Sequence, residues 1–150
     1  MADVTLRSPA FQDHDLMPDR LSRQGGNVSP PLEWSDPPPG TTELVLLCED
    51  QDSGREPFLH WLVTGIDPSS NGVAEDHIPP GGGEWPNHSG ETGWSGPHPP
   101  KGDNPHRYFF HLYAVDQPLT LPPRPTVRDV QAAVAPHELA SGTIVGRFGR

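Results

Sequence analysis

Proline is abundant in this chain, and its placement limits which segments can form regular structure. The sequence holds 21 prolines and 16 glycines among 150 residues, and only 32% of its residues are hydrophobic, which approaches the composition of disordered proteins. Residues 41–56, 58–67 and 107–117 nevertheless contain no proline and carry the strongest apolar runs. The prolines concentrate between such runs, as in residues 36–40 and 78–81. Because proline suits turns but removes a hydrogen-bond donor from a strand, this pattern predicts a folded β-protein with long, stiff loops.

Three central segments are predicted to be strands. Residues 43–49, 59–66 and 108–115 are rich in β-branched and aromatic residues, and each is bounded by turn residues. All three are apolar on both faces, so we expect central strands that are covered on both sides. Residues 4–6 and 142–148 predict a first and a last strand.

The remaining sequence predicts turns, one long irregular region and one helix. Residues 25–34 are rich in turn formers, and residues 68–105 would form an unusually long loop unless they build a site. Thr126 with Asp129 three residues later is typical of a helix start, and the helix should end near Pro136. Its buried face would carry three valines: Val127, Val130 and Val134. With no internal repeat or linker in the sequence, we expect one domain, residues 1–150.

The charge of the chain excludes some classes of partner. The formal net charge is −10 and Lys101 is the only lysine, so the cationic surface that nucleic acids and anionic membranes require is missing. No apolar stretch approaches the length of a membrane span, and the N-terminus lacks the pattern of a signal peptide, so we expect a cytoplasmic protein without a transmembrane segment. Cys48, the only cysteine, lies in an apolar run and is interpreted as a buried structural thiol.

Polar side chains stand at the ends of the predicted central strands, next to apolar residues, where binding groups are common on a rigid sheet. His106 and Tyr108 lie two residues apart on one strand, so they project to the same face. Asp50 ends another strand, and His60 lies near the start of the next. Spacing alone does not bring these strand ends together. A histidine near an aromatic strand is more often a structural residue than a ligand group, and Asp50 with Asp52 can simply be an acidic turn.

Several motifs resemble those of the phosphatidylethanolamine-binding proteins, and in particular their bacterial, Raf kinase inhibitor-like branch. The segment GNVSPPLEW at residues 26–34, followed by Gly40 and Thr41, resembles the N-terminal signature of that family. Further family elements are matched in order by DQD at residues 50–52, HWLV at 60–63, GPHPPKG at 96–102, HRY at 106–108, GT at 142–143 and GRF at 146–148. The resemblance therefore extends over nearly the whole chain.

This resemblance implies a Greek-key β-sandwich with a pocket at one end that takes phosphate-bearing headgroups. With the predicted helix, the expected fold class is all-β, a Greek-key β-sandwich with a short C-terminal helix. Trp61 and Arg107 also occupy matching positions, and we interpret them as a core residue and as the partner of Asp52 in an ion pair. Carried over by motif, the pocket residues are Asp50, His60, Gly96, Pro99, Pro100, His106 and Tyr108.

The chain departs from the family pattern in two places. Gln51 replaces the proline of the Asp-Pro-Asp element, and the segment after it, residues 53–56, is shorter than usual. His98 stands where bacterial members often carry cysteine, and we add it to the ligand-binding residues. With His60 and His106 it also permits a zinc-site interpretation, which ranks low because the spacing is not local. We expect no metal or other cofactor, and no role for five histidines: His14, His77, His88, His111 and His137.

The chemistry of these residues favours an anionic ligand. Two imidazoles and a phenol can donate hydrogen bonds to an anionic oxygen, and Asp50 can fix a histidine tautomer or pair with an ammonium group. We predict a protein that binds a small phosphorylated or anionic ligand and modulates a partner enzyme. With no lysine or arginine expected in the pocket, the affinity should be modest, and it should strengthen as the pH falls through about 6.5.

Two other functions fit the same residues. One is a small acid–base enzyme, such as an isomerase, cyclase or dehydratase, that uses Asp50 and the histidines. The other is a protein-interaction module, such as a protease inhibitor that acts through its proline-rich loops. Regulation of a kinase follows only by analogy with distant relatives. A homodimer is a further expectation, because bacterial relatives form dimers.

Overall fold

Two antiparallel sheets pack face to face in a computed structural model of the chain, which describes residues 3–150. Within this part of the chain one α-helix, α1 (Val127–Val134), precedes the last strand. The strands are β1 (Leu6–Arg7), β2 (Leu32–Trp34), β3 (Glu43–Asp50), β4 (Phe58–Ile66), β5 (Gly72–Val73), β6 (Gly83–Glu84), β7 (His106–Val115) and β8 (Glu138–Phe148).

The connections between the sheets have the Greek-key character that was expected. The smaller sheet has the order β1-β2-β5, and the larger has the order β6-β4-β3-β7-β8. The chain passes from β2 to the larger sheet, leaves it after β4 to add β5 to the smaller sheet, and returns as β6. The fold class, an all-β Greek-key sandwich with one short helix near the C-terminus, is confirmed. No helix within residues 3–150 is long and apolar enough to cross a membrane.

Strand β3 is buried at every position because both faces of the larger sheet are covered. Its residues Leu44, Leu46 and Cys48 pack with Leu32 and Trp34 of the smaller sheet. On the opposite face of the larger sheet, Val45 and Leu47 belong to a second core that contains the three valines of α1. The alternation of side chains along a strand produces this division.

Helix α1 begins as its sequence predicts. The Thr126 hydroxyl accepts a hydrogen bond from the Asp129 backbone N–H at 3.0 Å, and the Asp129 carboxylate accepts one from the Thr126 N–H at 2.9 Å. This capping box satisfies donors that the first turn would otherwise leave unpaired. The α-helix ends at Val134, and a single 3-10 turn, Ala135–His137, contains Pro136 and leads into β8.

Three short strands were not predicted from the sequence. β2 lies within the predicted turn region 25–34, and β5 and β6 are two-residue strands within the long region 68–105. Segments of two or three residues are too short for an apolar alternation to stand out. The last strand begins at Glu138 rather than at 142, because its first residues pair with the end of β7.

Candidate functional site

The ends of three neighbouring strands form one edge of the larger sheet. Asp50, the last residue of β3, is paired with Phe58 of β4 on one side and with Tyr108 of β7 on the other. A cavity of about 540 Å³ opens at this edge. Its walls include all eight residues that the sequence suggested: Asp50, His60, Gly96, His98, Pro99, Pro100, His106 and Tyr108.

A β-bulge places His60 in this cavity. The ladder pairs Cys48 with Trp61 and Glu49 with Leu59, so His60 is an extra residue without a partner in the ladder. A bulge of this kind redirects side chains and is frequent beside functional sites. The His60 ring consequently lies edge-on to the Tyr108 ring, at a centroid distance of 5.2 Å.

Hydrogen bonding fixes the tautomer of His60. Its Nδ1 lies 2.5 Å from the carbonyl oxygen of Ser95, to which it must donate, and the Ser95 N–H returns a bond to the His60 carbonyl at 3.0 Å. Burial lowers the pKa of His60, against the opposing effects of the Ser95 bond and the charge of Asp50. The neutral ring therefore keeps its lone pair on Nε2, and protonation at lower pH turns this atom into a donor.

His106 lies between two carboxylates. Its Nδ1 is 2.8 Å from Oδ2 of Asp50, and its Nε2 is 3.1 Å from Oδ2 of Asp103. Burial alone would lower the pKa of His106, but the hydrogen bonds with the two carboxylates outweigh it, and the pKa is raised. Protonated His106 donates to both acids, which neutralises much of the negative charge in the cavity.

The hydroxyl of Tyr108 is the unsatisfied group of the site. Tyr108 is 1% exposed, and within residues 3–150 its hydroxyl has no hydrogen-bond partner. Burial and the negative charge of Asp50 raise the pKa of Tyr108, so the phenol stays protonated. An unpaired buried hydroxyl is unfavourable and unusual in a folded protein.

The proline-rich loop is held in place by contacts with distant segments. Gly96 donates its backbone N–H to Oδ1 of Asn27 at 2.7 Å, and a Cβ at position 96 would come within 2.1 Å of the Leu21 carbonyl oxygen. Pro99 accepts a hydrogen bond from the Arg150 side chain at 2.6 Å. Asn27, in the segment GNVSPPLEW, therefore contributes to the cavity by fixing its far wall.

Two residues beside the cavity have the structural roles that we predicted. Trp61 is fully buried in the core between the sheets, where its indole N–H donates to Oε2 of Glu84 at 2.9 Å. Arg107 forms a bidentate ion pair with Asp52, with N···O distances of 2.9 and 3.0 Å. The Arg107 hydrogen bonds hold the pKa of Asp52 below its usual value.

Several residues of the cavity wall were not predicted from the sequence. Arg23 is the most consequential, because no arginine was expected there; its guanidinium donates to the Ser95 hydroxyl at 2.7 Å and lies 3.2 Å from Glu91. Arg23 precedes the GNVSPPLEW segment, and no local pattern connects it to a site. The other missed residues are Asp52, Ser53, Phe58, His88, Ser89 and Asp103.

Two further histidines line the cavity: His98 lies at its rim, and His88 supports a strand. His98 is exposed at the rim of the cavity. His88, for which no role was expected, lines the cavity, and its Nδ1 accepts the Leu59 backbone N–H at 3.0 Å, so that ring supports strand β4. Among residues 3–150 no group of three or more His, Cys, Asp or Glu residues is arranged to hold a metal ion; His106, moreover, already has carboxylates at both ring nitrogens.

A second cavity, of about 440 Å³, lies over the smaller sheet and contains no histidine. Arg7 and Glu33 in its wall pair with each other at 3.1 Å, so their charges are already satisfied. The cavity at the end of β3 is the stronger candidate because it combines a free buried donor with histidines in two different electrostatic environments.

Comparisons with known proteins agree with this architecture. The family model described as phosphatidylethanolamine-binding protein matches residues 7–149. A Mycobacterium tuberculosis protein named putative lipoprotein LppC is 44% identical over 147 residues, which cover 97% of this chain and 72% of that protein. A UPF0098 protein of Methanothermobacter thermautotrophicus is 37% identical over 152 residues, which cover 98% and 99% of the two chains.

Two solved structures share the fold. The Chlamydia trachomatis protein CT736, described as a putative homologue of phosphatidylethanolamine-binding protein, has a TM-score of 0.87 and 33% identity, with 99% of this chain and 98% of that chain covered. Escherichia coli YbcL, described as a new member of the mammalian PEBP family, has a TM-score of 0.90 and covers 99% of both chains. At 24% identity, YbcL supports the fold alone.

Proposed function

The chain belongs to the phosphatidylethanolamine-binding protein family, and from that premise we propose that it captures a phosphate-bearing or other anionic headgroup in the cavity at the end of β3. The Tyr108 hydroxyl carries the proposal. Among residues 3–150 this buried donor has no partner, and it borders a cavity large enough for a small ligand. An anionic oxygen would supply the missing acceptor and recover the cost of leaving the hydroxyl unpaired.

The charges around the cavity support a ligand that carries a phosphate. Arg23 lies in the wall beside the Ser95 contact of His60, and His60 gains a second donor when it is protonated. Arg23 is also paired with Glu91 and partly exposed to solvent, which weakens its attraction for an anion. We therefore expect modest affinity, as the sequence suggested, although an arginine is present.

Replacing Tyr108 by phenylalanine tests the proposed site. The change removes one donor to a charged acceptor, which is worth about 1.5–3 kcal/mol, so the Kd for phosphoethanolamine should rise about tenfold or more. The free protein should be no less stable, because the unsatisfied hydroxyl disappears. Calorimetric titration and thermal melting measure the two effects.

Tyr113→Phe is the matched control, since Tyr113 is the other tyrosine of the chain and is also buried on β7, but it packs in the core under α1. We expect its Kd to equal that of the unmodified protein. Equal Kd values for the Tyr108→Phe variant and the unmodified protein would contradict the proposed site.

The affinity should depend on pH through His60. An anion favours the protonated ring, so binding should strengthen as the pH falls. Because burial lowers the pKa of His60, the midpoint should lie below the value of about 6.5 expected for an ordinary histidine. We expect the Kd of glycerophosphoethanolamine, a diester whose own charge is constant in this range, to fall on the order of tenfold between pH 8 and pH 5.5.

The variant His60→Gln supplies the control for this titration, because an amide of similar reach donates without titrating. Its Kd should depend on pH less steeply than that of the unmodified protein, with the remaining dependence coming from His106, whose pKa is raised. A pH dependence as steep as that of the unmodified protein would show that His60 is not the responsible group.

One observation favours a second function, that of a small acid–base enzyme. The two histidines have pKa values shifted in opposite directions, which is the usual division between a general base and a general acid. Phosphorus NMR of the ligand recovered after binding separates the two functions, because a binding protein returns it unchanged.

Other expectations go further than the family and the fold. Control of a partner enzyme, a homodimer, a cytoplasmic location and a single domain stay predictions. The mycobacterial relative is named putative lipoprotein, and that name does not indicate the cytoplasmic location that we predict for this chain.

A further inference from the structure

A carboxylate, an imidazole and a hydroxyl form a hydrogen-bonded row on the face of the larger sheet that lies away from the smaller sheet. Nε2 of His111 is 2.8 Å from Oε2 of Glu49, and Nδ1 of His111 is 3.0 Å from Oγ1 of Thr143. His106 and Tyr108 project to the opposite face, because they lie an odd number of positions from His111 along β7. The row is therefore separate from the cavity at the end of β3.

The pairing of the strands brings the three side chains into line. His111 of β7 is directly opposite Thr143 of β8, and Glu49 of β3 lies two residues beyond Leu47, the other cross-strand partner of His111. Side chains two positions apart on a strand share a face, so all three groups project to the same side of the sheet. Three different strands supply the acid, the imidazole and the hydroxyl, so no local motif in the sequence indicates them.

The hydrogen bonds of the row make His111 a base toward Thr143. A carboxylate only accepts, so Nε2 of His111 donates to Glu49, and in the neutral ring Nδ1 keeps the lone pair that accepts the Thr143 hydroxyl. Glu49 is 1% exposed, and Nε2 of Gln131 in α1 donates to the same carboxylate oxygen at 3.3 Å. A buried carboxylate in this position fixes the tautomer and stabilises the imidazolium that forms when the ring takes a proton.

Aromatic neighbours fix the plane of the His111 ring. The ring lies between those of Phe109 and Tyr113, at centroid distances of 6.1 and 5.8 Å and interplanar angles of 15° and 25°. The His111 side chain is 15% exposed, whereas Thr143 is an exposed residue. The hydroxyl is therefore open to a reactant from solvent, and the base behind it is held in one orientation.

We propose that Thr143 is an acyl-acceptor site, at which His111 is the general base and an activated ester, such as an aryl ester or a thioester, is the acyl donor. A hydroxyl within hydrogen-bond reach of an oriented base is the arrangement that activates serine and threonine nucleophiles. Oγ1 of Thr143 forms a bond to the acyl carbon while its proton passes to Nδ1 of His111. The bond from the acyl carbon to the leaving oxygen or sulfur breaks, and the leaving group departs as an anion. The product is an ester at Thr143, and His111 returns the proton to solvent.

Acetylation of the full chain by p-nitrophenyl acetate tests this site, with peptide mass spectrometry measuring the rate at each residue. Thr120 is the internal reference, because it is an exposed threonine in the loop between β7 and α1 whose hydroxyl makes no hydrogen bond within residues 3–150. In the unmodified protein we expect acetylation at Thr143 to be about 100-fold faster than at Thr120, the lower end of the range for general acid–base catalysis.

The variant His111→Gln is the matched control, because glutamine still donates to Glu49 but does not take the proton. It should lower the acetylation rate at Thr143 to about that of Thr120 and leave the rate at Thr120 unchanged, with thermal melting as the check on the fold. Equal rates at Thr143 and Thr120 in the unmodified protein would overturn the inference without any variant. An unchanged rate at Thr143 in folded His111→Gln protein would overturn it as well.

Discussion

Replacing Trp61 by alanine is expected to lower the free energy of unfolding by about 3–5 kcal/mol, the range for large aromatic residues in a core. Trp61 is fully buried between the two sheets and packs edge-on against Trp94 at a centroid distance of 5.6 Å. The substitution leaves a cavity and removes the indole N–H that Glu84 accepts. Since a domain of this size is stable by about 5–15 kcal/mol, the loss should be evident in urea denaturation as a lower midpoint.

The variant Trp61→Phe separates packing from ligand binding. It retains a large ring in the core and loses the hydrogen bond with Glu84, so it should be destabilised less than the alanine variant. Trp61 does not line the cavity, and the Kd for phosphoethanolamine in Trp61→Phe should therefore stay within about twofold of the unmodified value. A large loss of binding in a stable Trp61→Phe protein would instead show that Trp61 contributes to ligand binding.

The contrast between Trp61 and its neighbour shows what a strand pattern can predict. The burial of Trp61 follows from the apolar run around it, and the structure confirms it. Alternation would send the preceding residue, His60, to the opposite face of the sheet. The bulge between the pairs Cys48–Trp61 and Glu49–Leu59 reverses that expectation. A bulge depends on how two strands fit together, so spacing within one strand does not reveal it.

Contacts between residues far apart in the sequence set the other limit on what the sequence can predict. The positions of the central strands along the chain were predictable from their apolar runs, and the capping box of α1 from the spacing of Thr126 and Asp129. Arg23 is held in the cavity wall by contacts with Ser95 and with the Pro97 carbonyl. Both residues lie more than 70 positions further along the chain. Only the family resemblance connected such distant segments, and Arg23 lies outside the motifs that carried it.

Replacing Asp50 by alanine should have the largest effect on the site itself. Asp50 is 3% exposed and accepts hydrogen bonds from the buried His106 ring and from the Asp52 backbone. Removing one partner of a buried pair costs about 3–5 kcal/mol, and because His106 keeps its contact with Asp103, the loss here should lie near the lower end of that range. Asp52→Asn is the neighbouring control, because Asp52 pairs with the half-exposed Arg107 and its loss should cost less than about 1 kcal/mol. Similar losses in the two variants would contradict a special role for Asp50.

The same substitution should change how stability depends on pH, with a sign set by His106. The folded protein holds the pKa of His106 above its value in the unfolded chain, so protonation of His106 stabilises the fold below about pH 6.5, and this contribution is lost as the pH rises through the folded pKa. Without Asp50 the ring keeps the cost of burial and loses its nearest carboxylate. The loss of unfolding free energy in Asp50→Ala should therefore be larger at pH 6 than at pH 8.

Asp50→Asn, which keeps the size of the side chain, should move the NMR-measured pKa of His106 downward while the protein remains folded. A His106 pKa that is unchanged in Asp50→Asn would mean that Asp103, the other carboxylate at the ring, holds the proton without help from Asp50.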